Sequence, residues 1–206
     1  MSDFRNGNSD KPLVLGIGGT TRTPSSTDRA LRLALRAAEE AGAMVHCFNG
    51  PFLVRLPHFA PEHQTRSDEQ RELVEMVRRA DGLIVASPGY HGGVSGLVKN
   101  ALDLLEDLSR DERSYLDGRA VGLVVTAAGW QASVTTLEAL RAIVHALRGW
   151  PTPMGASLNT IEPIFDAQGN CTDAKAANAL SAVGQQVVEF AIRYAQTKTR
   201  RGSSTL

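Results

Sequence analysis

The chain's most reactive-looking stretch is residues 18–27, Gly18-Gly19-Thr20-Thr21-Arg22-Thr23-Pro24-Ser25-Ser26-Thr27. It separates the apolar run Leu13–Ile17 from an amphipathic segment, so its hydroxyls would meet the free N–H groups of a helix N-terminus. Glycines let the chain turn, and Arg22 adds a planar cationic donor set suited to a phosphate. Two readings stand: a phosphate cradle built from Thr20, Arg22, Ser25, Ser26 and Thr27, or a plain turn whose serines only cap the helix.

A second stretch, Ser87-Pro88-Gly89-Tyr90-His91-Gly92-Gly93-Val94-Ser95-Gly96, offers what a planar ring needs: exposed backbone and a flat side chain beside it. An imidazole is the side chain best suited to proton transfer in neutral solution, which makes His91 the most tempting proton donor. A bound redox ring carries its own chemistry, however, which leaves His91 a loop or ring contact as the alternative. His46, His58, His63 and His145 are dispersed and, with Cys47 and Cys171, show no metal spacing, so no metal is expected.

Two familiar nucleotide loops do not fit. Gly16-Ile17-Gly18-Gly19-Thr20-Thr21 lacks the third glycine of a dinucleotide-binding loop, and the second strand ends at Phe48-Asn49 without its acidic residue. No Gly-Lys-Ser/Thr follows the first loop, so ATP hydrolysis has no support.

These loops must be held by a frame. Leu13–Ile17, Met44–Phe48, Leu83–Ala86 and Val121–Val125 are near-continuous apolar runs, as strands buried on both faces require. Pro153–Leu158 is the expected fifth strand, although Pro153 and Gly155 suit a strand interior poorly. Leu31, Ala34, Leu35 and Ala38 recur at helical spacing and place a helix over Ser26–Glu40, ended by Gly42. Further helices are expected around Leu73–Ala80, Leu97–Leu105, Leu137–Leu147 and Ala174–Ala195. Alternating β and α units wind a parallel sheet with helices on both faces, and ligands then sit beyond the carboxyl ends of its strands.

Composition narrows the partners. With 206 residues and 42% hydrophobic residues, one domain over 12–196 is expected, with polar, disordered tails at 1–11 and 197–206. Twenty-two basic residues balance 22 acidic ones, which favours a small molecule over nucleic acid or a membrane surface. Two cysteines, a polar start and no long apolar run predict a cytoplasmic protein.

The combination of G-T-T-R-x-P-S-S-T, A-D-G-L-I-V-A-S-P-G-Y and S-G-L-V-K-N-A-L-D resembles the NADPH-dependent FMN reductase family over about Leu13 to Val125. The resemblance implies a flavodoxin-like, doubly wound, five-stranded parallel sheet of order 2-1-3-4-5 that binds flavin mononucleotide (FMN). Thr20, Arg22, Ser25, Ser26 and Thr27 then surround the FMN phosphate, with Thr20 where the family usually has serine. Pro88, Gly89, Tyr90, His91, Gly92 and Gly93 pass along the ring, and Ala128-Gly129-Trp130 replaces a Gly-rich turn near its polar end. Gly89 and His91 depart from the family, which often has an acidic or aliphatic residue at the first and a polar residue or lysine at the second.

The implied activity is hydride transfer from NADPH or NADH to FMN and on to free flavin or another small-molecule electron acceptor. An FMN-containing quinone, azo or metal-oxyanion reductase is an alternative. So is a non-enzymatic flavodoxin-type carrier, although those are usually acidic and cradle phosphate without arginine. The resemblance further implies a homodimer or homotetramer, with the helix carrying Lys99, Asn100 and Asp103 at the interface instead of in simple capping and surface pairing. A flavin-dependent monooxygenase receiving reduced FMN is an implied partner. Trp130 either stacks on flavin or a partner subunit or fills an apolar gap, and Trp150 is expected in the core. The proline- and aromatic-rich segment 49–66 reads equally as a functional lid or a packed loop.

Overall fold

The computed structural model describes residues 11–63 and 65–203. In chain order it contains β1 (Leu13–Gly18), α1 (Ser26–Glu40), β2 (Met44–Phe48), α2 (Gly50–Leu53), α3 (Asp68–Arg79) and β3 (Gly82–Tyr90). There follow β4 (Gly93–Val94), α4 (Gly96–Asp103), a 3-10 turn at Leu104–Leu108, β5 (Ala120–Ala127), α5 (Trp130–Ala146), β6 (Trp150–Asn159) and α6 (Ala174–Ser203). The expected tail 1–11 lies outside the described residues apart from Lys11, as does 204–206 of the other, while α6 continues through 197–203.

The main sheet runs β2-β1-β3-β5-β6, all parallel, which is the expected five-strand order once the two-residue β4, an antiparallel partner of β3, is set aside. Strand period 2 divides the core between two layers. Leu13, Leu15, Ile17, Leu83, Val85, Leu123 and Val125 face α3, α4 and α5, whereas Val14, Ile84, Ala86 and Val124 face α1 and α6. Burial on both faces therefore holds for β1, β3 and β5, but the edge strand β2 is mostly half-buried.

β6 starts at Trp150, three residues before the expected Pro153, and its place in the sheet explains how Pro153 is accommodated. It pairs only with β5, with a register shift between Val121 and Leu123, so Pro151 and Pro153 lie on an edge strand where a missing N–H is tolerated. Side chains occupy other groups of that strand: Gln186 Oε1 accepts the Met154 N–H at 2.9 Å, and Arg141 reaches the Thr152 and Pro153 carbonyls at 3.5 and 3.4 Å. These are the devices by which an edge avoids pairing with another chain.

A helix boundary and a core assignment differ from expectation. α5 begins at Trp130, seven residues before the expected Leu137, and its first turns, Trp130-Gln131-Ala132-Ser133-Val134-Thr135-Thr136, lack the clear apolar stripe that marks the rest. Trp150 is 59% exposed at the start of β6, stacked obliquely on Phe190 with ring centroids 5.9 Å apart, and is not core.

Candidate functional site

Three loops leave adjacent strands at their carboxyl ends: residues 19–25 after β1, 91–92 after β3 and 128–129 after β5. β1 and β3 flank the point where the winding reverses, so their loops diverge and open a crevice. The Gly19 N–H donates to the Ala86 carbonyl at 3.3 Å, which ties the first loop to β3.

In the first loop the hydroxyls divide by role. Ser25 caps α1, its Oγ accepting the Asp28 N–H at 3.1 Å, so the capping reading holds for this residue. Thr27 is buried, and its Oγ1 lies 2.6 Å from Thr126 Oγ1 on β5, fastening α1 to the sheet across 99 positions. It can offer the crevice a backbone N–H but not a free hydroxyl. Thr20 Oγ1 accepts the Arg22 N–H at 3.2 Å, a local turn that shapes the loop.

Arg22 is exposed, and its guanidinium makes no ion pair or hydrogen bond with a described residue. The Ser26 and Thr27 N–H groups in the first turn of α1 likewise have no protein acceptor among the described residues. Nearby, Asp28 holds Arg32 at 2.9 Å, and that hydrogen bond keeps the Arg32 guanidinium above its ordinary pKa. The other carboxylate oxygen of Asp28, Oδ1, is buried without a hydrogen-bond partner among the described residues.

β3 runs further than its apolar core, through Pro88 and Gly89 to Tyr90, and folds back on β4 with Gly89 opposite Val94 and Tyr90 opposite Gly93. Buried Ser87 braces the hairpin by donating to the Pro88 carbonyl at 2.8 Å and accepting the Ser95 N–H at 3.0 Å. Tyr90 is 56% exposed, and His91 (φ 52°) and Gly92 (φ 78°) form the tip in left-handed conformations. Gly89 has a packing cause: a Cβ there would lie 2.9 Å from Thr136 Oγ1 and 3.0 Å from Ala127 Cβ and the Ala132 carbonyl. The start of α5 occupies the space that a larger side chain would need.

After β5, Ala128 and Gly129 lead into α5, and Trp130 is its first residue, 62% exposed. That exposure removes the gap-filling alternative. Gly129 (φ 115°) stands at the N-cap with no side chain to accept from the helix. Sequence reasoning missed Asn159, the last residue of β6, whose Oδ1 accepts the Gly129 N–H at 3.0 Å and the Ile161 N–H at 3.1 Å. No sequence signal marks it, because a lone Asn before a turn is common.

Segment 49–66 is packed down. Asn100, nearly buried, donates to the Pro57 carbonyl at 3.1 Å and accepts the Phe59 N–H at 2.7 Å, so it anchors this segment and is no surface residue. Arg66 adds a two-pronged pair to Asp107 at 2.8 and 2.9 Å with Phe59 beneath its guanidinium. Lys99 and Asp103 form an ordinary helix-surface pair at 2.7 Å. Among the described residues, no cluster of three His, Cys, Asp or Glu could hold a metal, and no helix is long and apolar enough to cross a membrane.

The profile of the NADPH-dependent FMN reductase family matches residues 12–162, which includes all three loops. The chain belongs to this family. Among relatives of the chain, an FMN-dependent NADPH-azoreductase of Staphylococcus aureus is 39% identical over 83 residues, 40% of each protein. An iron-sulfur flavoprotein of Archaeoglobus fulgidus is 29% identical over 123 residues, 57% of this chain and 62% of its own length. The matched regions thus span less than two thirds of these relatives. The fold is shared with FerB, an NAD(P)H:(acceptor) oxidoreductase of Paracoccus denitrificans (TM-score 0.72, 18% identity, covering 89% and 98% of the two chains). It is shared also with a WrbA-like flavodoxin of Agrobacterium tumefaciens (TM-score 0.61, 16% identity, covering 89% and 99%).

Proposed function

We propose that this chain is an NAD(P)H-dependent FMN reductase, taking a hydride from NADPH or NADH and passing electrons to free flavin or another small acceptor. The observation that carries the reading is the donor set of the first loop. An arginine without a carboxylate partner stands beside bare first-turn amides of a 15-residue helix, which suits a terminal phosphate. Arg22, the Thr20 and Ser26 hydroxyls and the amides of Ser26 and Thr27 would hold it, with Ser25 shaping the turn.

Bound FMN would supply the redox chemistry, a ring that accepts hydride and releases electrons. The chain's part is position and electrostatics. The hairpin Pro88, Gly89, Tyr90, His91, Gly92 and Gly93 presents backbone and an exposed phenol beside the crevice, and Ala128, Gly129 and Trp130 present backbone and an exposed indole next to it. The braces from Ser87 and Asn159 limit how far either loop can drift.

Assembly as a homodimer or homotetramer belongs to the same proposal. Its support is an apolar groove of about 230 Å³ between α4, the 3-10 turn and α5, lined by Phe59, Leu102, Ile143 and Leu147 with Lys99 and Asp103 at its rim. The physiological acceptor could then be a quinone, an azo compound, a metal oxyanion, oxygen or a flavin-dependent monooxygenase that receives reduced FMN.

The test is anaerobic addition of NADPH to protein supplied with FMN, after calorimetry with FMN, FAD and NAD. FMN binding more tightly than FAD, followed by bleaching of the yellow colour, is expected. Binding without bleaching would make the chain a carrier, and failure to bind FMN would remove the reading.

A further inference from the structure

We propose that Asn159 is a positioning residue for the loop 127–130, holding Gly129 and Trp130 against the site; this rests on the flavin reading above. Three observations converge. First, α5 lacks a capping side chain, since its N-cap is Gly129 with φ 115° and ψ 147°, a conformation that L-residues rarely adopt. Nothing lies within 4 Å of where a Gly129 Cβ would be, so packing at that point does not impose the conformation either.

Second, a constraint comes from the neighbouring strand. Asn159 stands opposite Ala127 in the β5–β6 register, and its Oδ1 accepts from Gly129 N at 3.0 Å, an N–H it shares with the Ala127 carbonyl at 3.1 Å, while also closing a turn on Ile161 N at 3.1 Å. One carbonyl oxygen therefore fastens the loop after β5 to the loop after β6, and the Thr160 N–H adds a parallel tie to the Ala127 carbonyl at 2.9 Å. Third, the residue so placed is Trp130, whose 62% exposure shows that burial does not hold its ring. Its direction follows from the first turn of α5, and that turn follows from the Gly129 conformation. Asn159 acts through these residues and need not touch a ligand itself.

The chemistry required at position 159 is an acceptor oxygen on a side chain of this length, which Asp supplies and Ala does not. The chain has two tryptophans, so a Trp150→Phe background leaves Trp130 as the single fluorescent reporter, and Trp150 lies at the opposite end of β6 from Asn159. In that background Asn159→Ala and Asn159→Asp are compared by Trp130 anisotropy without flavin, by FMN titration and by thermal unfolding.

Asn159→Ala is expected to lower the anisotropy and weaken FMN binding about 5- to 30-fold, the loss of one to two neutral hydrogen bonds. Asn159→Asp should return both towards the parent. Unchanged anisotropy and affinity in Asn159→Ala would overturn the proposal. So would an Asn159→Asp variant that behaves as Asn159→Ala does, or effects that track the melting temperature in both variants alike. If Asn159→Ala does not fold, Asn159→Gln, which keeps the oxygen but misplaces it by one methylene, must show the same two losses. The anisotropy arm needs no flavin, so a parent that fails to bind FMN defeats the functional reading and leaves the positioning claim decided separately.

Discussion

Replacing Arg22 by alanine separates a phosphate ligand from a surface charge. Among the described residues the guanidinium has no carboxylate to release, so its removal breaks no ion pair there and its effect should appear in ligand affinity. A charge-assisted hydrogen bond contributes about 1.5–3 kcal/mol. Arg22 is exposed, and water screens it, so the lower part of that range applies, about 1.5–2 kcal/mol. That corresponds to FMN binding weakened by roughly 10- to 30-fold. Arg36, exposed on α1 well past its first turn, is the control and should shift affinity by less than about twofold. Flavin-fluorescence titration at low and high salt reads both variants, and the gap between them should narrow as salt rises. If Arg22→Ala and Arg36→Ala both bind FMN as the parent does, the phosphate is held elsewhere and the roles given to Thr20 and Ser26 fall too.

Thr27→Val should cost about 1–3 kcal/mol of stability by stranding the buried Thr126 hydroxyl, with the double variant Thr27→Val/Thr126→Val recovering much of it. Urea denaturation showing purely additive losses would contradict that pairing. Light scattering should give at least a dimer for the parent and a smaller species for Ile143→Asp, which puts a charge into the apolar groove; a monomeric parent would refute the assembly. Burial pushes the Cys47 thiol from 9.0 up to about 11, which leaves it about 100-fold less thiolate at any pH below about 9. In a Cys171→Ser background, native protein should therefore resist iodoacetamide at about pH 8 and label readily in denaturant, with the native rate climbing as pH approaches 11. Equal rates in the two states would remove the claim.

How much of this was legible beforehand depended on the range of the interaction. Apolar runs such as Leu13–Ile17 and Val121–Val125 announce strands buried from both sides, and Leu31, Ala34, Leu35 and Ala38 announce the face of α1, because periodicity is a property of neighbouring residues. The strand order and the three loops that line the crevice followed from those elements, their right-handed connections and the family resemblance. The same logic failed at the start of α5, where Trp130 to Thr136 carry no stripe because Ser133 and Thr136, both buried, are polar.

Tertiary structure alone decided what each polar side chain in the crevice is free to do. A threonine at 27 looks the same whether it meets a ligand or Thr126, and only the crossing of α1 over β5 commits it to the latter. Asn100 looked like a helix-surface residue until segment 49–66 was laid against it, and Asn159 had no visible role until β6 brought it beside Gly129. Trp150, apolar and next to a proline, reads as core, yet it ends on an edge strand with one ring face towards Phe190. In each case the partner lies between 30 and 99 positions away, and contact is short-ranged in space but indifferent to distance along the chain. Local sequence therefore determined the frame and the kinds of donor on offer, while the packing of α1, α5 and β6 determined which donors remain for a ligand.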